Sequence, residues 1–175
     1  MYHEININKN NMATKKYVWE FTNQRKLAKG EFIDYFEKKV FKTIRKHSMM
    51  PEDRIFRIEK SDTLNFKILK PILETKFIVE VSAKPNILSE NLSDISESVF
   101  SNILNGNFKG PSPNDKPACP LYFHSDAEIG VYAGLKNISG ETSKRDEQIQ
   151  NLLNRFRGKN PDLDINVVNA LAQIQ

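Results

Sequence analysis

The sequence predicts an α/β fold: a small parallel sheet followed by a helical C-terminal extension. Two observations carry this. Short apolar runs at 54–58 and 76–83 each precede an amphipathic helical pattern, and strand–helix, strand–helix order signals parallel pairing. Beyond residue 120 only helical periodicities remain. A chain of 175 residues is long enough to bury an ordinary core.

Residues 1–26 are polar with sparse anchors at Tyr17, Val18, Trp19 and Phe21, and read as an extended N-terminal arm docking through Trp19. Residues 27–175 read as one α/β domain. From Lys29 to about His47, Phe32, Phe36, Val40 and Ile44 recur every four residues and mark a helix with one apolar face. Lys38, Lys39, Lys42, Arg45 and Lys46 lie off that face, toward the end where the helix dipole favours cations. Lys38, Lys39, Lys42 and Lys46 are therefore expected to tolerate charge reversal.

The run Arg54–Ile58 reads as a strand, and Ser61 or Asp62 can cap a short helix that Pro71 ends or kinks. The run Lys76–Ala83 has enough apolar residues to be covered on both sides. Asn91 or Ser93 caps the next helix, with Leu92, Ile95, Val99 and Ile103 inward and Asn105-Gly106 closing it. The stretch at about 107–120 holds Pro111, Pro113, Pro117 and Pro120 and reads as a linker.

Ser125 and Glu128 form a capping box for a helix to about Lys136. Residues 144–157 repeat Ile149, Leu152, Leu153 and Phe156 on one helical face. Asp164 can cap a last helix with Val168, Leu171 and Ile174 inward.

Little chemistry is announced. His3, His47 and His124 lack ligand spacing and are expected as surface or capping residues. The one cysteine, Cys119, excludes an internal disulfide and an all-Cys metal cage. It lacks an electropositive setting and reads as loosely packed and unreactive. Phosphate loops need glycines directly after a strand, yet none occurs between Gly30 and Gly106. After Ile58 come Glu59-Lys60-Ser61-Asp62-Thr63, whose side chains obstruct a cradle. No catalytic residue, metal ligand or cofactor is expected.

Charge is uneven. Residues 1–50 hold 11 Lys and Arg against 5 Asp and Glu, so the first third is basic while the remainder is slightly acidic. Such asymmetry points to an anionic partner, nucleic acid first. No apolar run approaches the roughly 20 residues of a membrane span. The polar N-terminus predicts no secretory signal, and a cytoplasmic protein without a membrane partner is expected.

Three segments carry a family resemblance. They are Phe32-Ile33-Asp34-Tyr35-Phe36-Glu37-Lys38-Lys39-Val40 within 26–40, then Asn91-Leu92-Ser93-Asp94 through Ile103-Leu104-Asn105-Gly106, then Pro120-Leu121-Tyr122 through Tyr132-Ala133. In this order they resemble the tRNA 2-thiolation branch of the PP-loop ATP-pyrophosphatases. Asn160-Pro161-Asp162 looks like that family's Asn-Pro-Gly tail. The resemblance implies a reduced adenine-nucleotide-alpha-hydrolase-like (HUP) unit. Departures are concentrated at the chemistry. The family's Ser-Gly-Gly-Lys-Asp-Ser loop falls on Ile58–Thr63 without its glycines. Its Gly-His falls on Ser89-Glu90, one aspartate on Ser93 and a zinc-ribbon cysteine on Ala28. Asp62, Thr63, Asn91 and Asp94 are what remains of a nucleotide site.

The implied role is a degenerate member that is no enzyme, acting as partner subunit to an active tRNA-thiolation PP-loop enzyme or helping to hold its tRNA. The alternative is a stand-alone basic RNA-binding module. There Lys15, Lys16, Arg25, Lys26, Lys38, Lys39, Lys42, Arg45 and Lys46 contact phosphates, and Tyr17 and Trp19 offer stacking faces.

Overall fold

The computed structural model describes residues 16–108, 110–160 and 162–172; the expected phosphate contact Lys15 and the expected inward Ile174 lie outside them. The chain leads from a hairpin of β1 (Tyr17–Glu20) and β2 (Lys26–Ala28) directly into helix α1 (Lys29–Lys46). Strand β3 (Ile55–Ile58), helix α2 (Leu64–Glu74) and strand β4 (Ile78–Val81) make a parallel unit, with Phe56 opposite Val79 and Ile58 opposite Val81. Helices α3 (Leu92–Leu104), α4 (Asp126–Lys136), α5 (Glu147–Arg157) and α6 (Leu163–Ala172) complete it.

The α1 expectation holds because its apolar spacing matches the helix repeat: Phe32, Phe36, Val40 and Ile44 are all buried. Each is worth roughly 1.5–3 kcal/mol of transfer free energy before entropy. Phe36 stacks on Tyr132 of α4 at 4.2 Å, and Trp19 of the hairpin lies 5.3 Å from Phe32. Phe56 and Ile58 of β3 close the same core. The described part of the expected arm, from Lys16 onward, is a hairpin that packs on α1 through Trp19. A second cluster joins α3 to α6 through Leu92, Ile95, Val99, Cys119, Tyr122 and Val168.

Two residues widen the sheet without forming strands. Ile87 bridges Ile58, and Ala118 bridges Ile87, both in parallel. Asn86 fills the gap with its side chain: Nδ2 donates to the Ile55 carbonyl at 2.9 Å, and Oδ1 accepts from the Arg57 amide at 2.8 Å. The Pro-rich stretch expected as a linker therefore ends inside the fold, with Ala118, Cys119 and Pro120 buried.

Other expectations need correction. Thr63, not Ser61 or Asp62, caps α2. Pro71 does not end that helix, which runs on to Glu74 with Ile72 and Leu73 buried. Strand β4 is not covered on both sides. Its second edge has no partner among the described residues, and Ile78 is 63% exposed. Phe156 faces solvent as well. Asp164 lies in the first turn of α6 rather than capping it.

His124 is fully buried instead of capping at the surface. Its ring lies 4.5 Å from Phe36, and Nε2 donates to the Phe36 carbonyl at 3.3 Å. Burial, reinforced by the Lys39 charge, depresses its pKa to about 4. Lys39 is also misjudged as a freely solvated lysine, because it ion-pairs with buried Glu128 at 2.7 Å.

Candidate functional site

In open α/β sheets ligands settle outside the carboxyl ends of the strands. Here that place is a crevice of about 290 Å³ between the loop after β3 and the segment after Ile87, lined by Glu59, Lys60, Ser61, Thr63, Ser89 and Glu90. The N-terminus of α2 points its backbone donors here, as anion-binding helices do. The Thr63, Leu64 and Phe66 amides are already used. Ser61 Oγ accepts from the Thr63 amide at 3.1 Å, and Thr63 Oγ1 accepts from the Phe66 amide at 3.4 Å.

The third acceptor comes from far along the chain. The Glu141 carbonyl accepts from the Leu64 amide at 2.8 Å, and the Glu141 amide donates back to the Asp62 carbonyl at 3.0 Å. The strap can lie this close because residue 140 is glycine: a Cβ there would sit 2.8 Å from Leu64 Cα and N. A phosphate group therefore has no vacant cradle at α2, and Glu59 adds a carboxylate at its mouth.

Beside the crevice lies a network of charges. Asn91 and Asp94 form the capping box of α3. Asp94 also accepts from Asn65 Nδ2 at 3.0 Å and from Arg145 Nε at 2.8 Å. The Arg145 guanidinium further pairs with Asp126 and with Glu97, the latter at 3.4 Å. Arg157 binds Asp164 at 2.9 Å, and Asp164 accepts from Ser96 Oγ at 2.9 Å. Desolvation raises the Glu97 carboxyl against the pull of Arg145 and Arg157. For Asp126 desolvation also pushes upward, but hydrogen bonds from Arg145 and Asn91 prevail and hold it below the usual range.

Of the four nucleotide-site remnants, Thr63 lines the crevice as a helix cap, Asp62 gives its carbonyl to the strap, and Asn91 and Asp94 turn into the Arg145 network. Arg145, Gly140 and Glu141 were not singled out from sequence.

The basic residues divide. Lys38 pairs with Asp34 at 2.6 Å, Lys39 with Glu128, and Lys26 with Glu20 at 3.3 Å. Arg25 lies 5.5 Å over the Phe21 ring. Lys16, Lys42, Arg45 and Lys46 are exposed and make no ion pair among the described residues. Of the two stacking candidates Tyr17 is half-exposed, while Trp19 is committed to Phe32. Cys119 is buried rather than loosely packed, and burial pushes its thiol up to about 12.

No protein-family model matches the sequence, and no curated protein matches it. Among solved structures the chain is similar to the U34-tRNA thiolase NcsA from Methanococcus maripaludis with its [4Fe-4S] cluster. The TM-score is 0.71 at 11% identity, over 94% of this chain and 86% of that one. Iron–sulfur clusters are held by cysteine thiolates. One cysteine with a raised pKa does not fit such a group, and the filled α2 terminus does not fit the nucleotide loop of the resembled family.

The expectation that the chain is no enzyme is corrected by this neighbour, which is itself an enzyme and shares the fold over nearly the whole length. No described helix is long and apolar enough to cross a membrane. The architecture is mixed α/β with a small parallel sheet, the HUP-like fold of the thiolase it matches.

Proposed function

We propose that the protein belongs to a tRNA-modification system and holds tRNA there as the partner subunit of a tRNA-thiolation enzyme. The observation that carries this reading is the fold shared with a U34-tRNA thiolase over 94% of the chain. The cations Lys42, Arg45 and Lys46 at the end of α1, exposed and without an ion pair among the described residues, support the nucleic-acid half of it. They equally favour a second reading, a basic module that binds RNA without a protein partner.

A titration separates the two. Labelled tRNA transcript is mixed with the chain at 50 and 200 mM salt, with and without a purified U34-tRNA thiolase. The subunit reading expects salt-sensitive binding that tightens when the thiolase is added, and co-elution of the two proteins. Binding indifferent to the thiolase leaves the stand-alone module. Absence of tRNA binding under every condition overturns both.

A further inference from the structure

The end of α1 forms more than a charged face. Lys39, Lys42 and Lys46 recur at helical spacing and, with Thr43, His47 and Phe123, enclose a hollow of about 200 Å³. The Phe123 ring stands 5.5 Å from the His47 ring. His47 spends Nδ1 on Asn114 Oδ1 at 3.0 Å, and its Nε2 has no hydrogen-bond partner among the described residues. Lys39 and Phe123 also line a second, larger hollow of about 650 Å³, which reaches Tyr35, Asn154 and Arg157. The two hollows therefore share a wall.

Charge is graded along this groove. The charged side chains of the small end are all cations, two of them without an ion pair among the described residues. In the large end the carboxylates are already engaged, Glu128 by Lys39, Asp126 by Arg145, Asp164 by Arg157 and Glu20 by Lys26, with Asp162 left over. An anion is thus favoured at one end, and a neutral polar group with an aromatic face at the other. The large hollow is of the size that ordinary small-molecule sites have.

We infer that this groove seats one unpaired nucleotide of an RNA, its phosphate between Lys42 and Lys46 and its base across Phe123 toward the larger hollow. Phosphate contacts of this kind are sequence-blind and salt-sensitive, whereas base stacking on an aromatic ring is not salt-sensitive. The inference rests on the tRNA-holding reading and names the place where that reading is executed.

The two halves of the seat give different signatures in fluorescence-anisotropy titrations of the full chain with labelled tRNA transcript. Lys42→Ala with Lys46→Ala should weaken binding at 100 mM salt and flatten the log–log salt dependence by roughly 1 per lysine. Phe123→Leu should weaken binding roughly tenfold and leave that slope unchanged. Phe123→Tyr, which keeps the stacking face, should bind like the parent and guards against a folding defect in the leucine variant. Lys84→Ala, in the loop after β4 and lining neither hollow, should change little.

An unchanged slope in the double-lysine variant, or full affinity in Phe123→Leu, overturns the seat. So does loss of binding confined to Lys84→Ala, which moves the RNA away from the α1 groove while leaving the tRNA reading standing. If the parent chain does not bind the transcript, with or without the thiolase, the tRNA reading itself falls. Inorganic phosphate competing at millimolar concentration while tRNA does not bind marks a free-phosphate site and overturns the nucleotide assignment.

Discussion

The N-terminus of α2 and the C-terminal turns of α1 both concentrate positive charge, the first as backbone N–H groups and the second as lysines. At α2 the chain supplies its own acceptors: Ser61, Thr63 and the carbonyl of Glu141 take the Thr63, Phe66 and Leu64 amides. At α1 it supplies acceptors for Lys38 and Lys39 and then stops, leaving Lys42, Arg45 and Lys46 without any among the described residues. Groups satisfied within the fold contribute to holding it together, and those left over are free to meet something else. The difference is testable, because satisfied groups should be costly to remove and unsatisfied ones should not.

The largest effect is expected at Arg145. Its side chain and that of Asp94 are both only 10% exposed. Removing one partner of a buried pair strands the other charge, at a cost of about 3–5 kcal/mol. Arg145→Ala should therefore lower the melting temperature by roughly 10 °C, since about 2–4 °C accompanies each kcal/mol in a domain of this size. A shift under two degrees, read by circular dichroism, means that Asp94, Glu97 and Asp126 do not depend on the guanidinium.

His124 should produce an effect of similar kind, visible as pH dependence. Its folded pKa of about 4 lies below its ordinary value, so the unfolded chain takes up the proton first. The stabilisation is complete above roughly pH 6.5 and is lost as pH falls toward 4, about 3 kcal/mol in all. Glu128, held low by Lys39 against the upward push of burial, steepens the loss at the acid end. Denaturant melts between pH 7 and 4.5 check this, and His124→Gln should flatten the upper part of the profile. A His124→Gln profile as steep as the parent's assigns the pH dependence to carboxylates alone.

These sites show what sequence carries and what it does not. The α1 boundaries and its four buried residues were legible because a four-residue apolar repeat has one structural solution. Ser125 and Glu128 were legible because both halves of a capping box lie within four residues. The exposure of β4 was not, since an apolar run does not say whether its strand lies at an edge. Nor was the place of Ala118 in the sheet, which depends on Asn86 standing in for a strand with its side chain. In the candidate site Asp62 and Thr63 lie in the loop between β3 and α2, whose place the apolar run of β3 made legible. The strap that fills the loop arrives from 78 residues downstream of Asp62, the separation between Asp62 and Gly140. Arg145 has no local signature either, because its four partners come from two helices, α3 and α4, and the cap of α3.

Gly140 tests the closed end of the comparison with a smaller effect. Gly140→Ala forces a Cβ against the backbone of Leu64 and Asp62, at 2.8 and 3.1 Å before any adjustment. Backbone does not yield as a flexible side chain does, so the strap must lift. Overpacking of this kind costs roughly 1–3 kcal/mol. Hydrogen exchange localises it: the Leu64 and Glu141 amides should lose protection together, while the Ile72 and Leu73 amides in the last turn of α2 keep theirs. Unchanged exchange at Leu64 means that the Glu141 carbonyl is not what closes the helix terminus.

The smallest effect belongs to the open end. Lys42 and Lys46 lie in the last two turns of α1, where a cation gains from the helix dipole by roughly 0.3–1 kcal/mol at low ionic strength, less when salt screens it. Neither has an ion pair to lose among the described residues. Lys42→Glu with Lys46→Glu should lower stability by no more than about 1 kcal/mol in physiological salt by the same dipole accounting. Adding Lys39→Glu should cost several times as much, because it sets a carboxylate beside buried Glu128, whose two oxygens now accept from Lys39 at 2.7 and 2.9 Å. Denaturant unfolding of the double and triple variants measures the gap. If the double variant is as damaged as the triple one, then Lys42 and Lys46 are structural cations like Lys39, and the end of α1 is no more open than the end of α2.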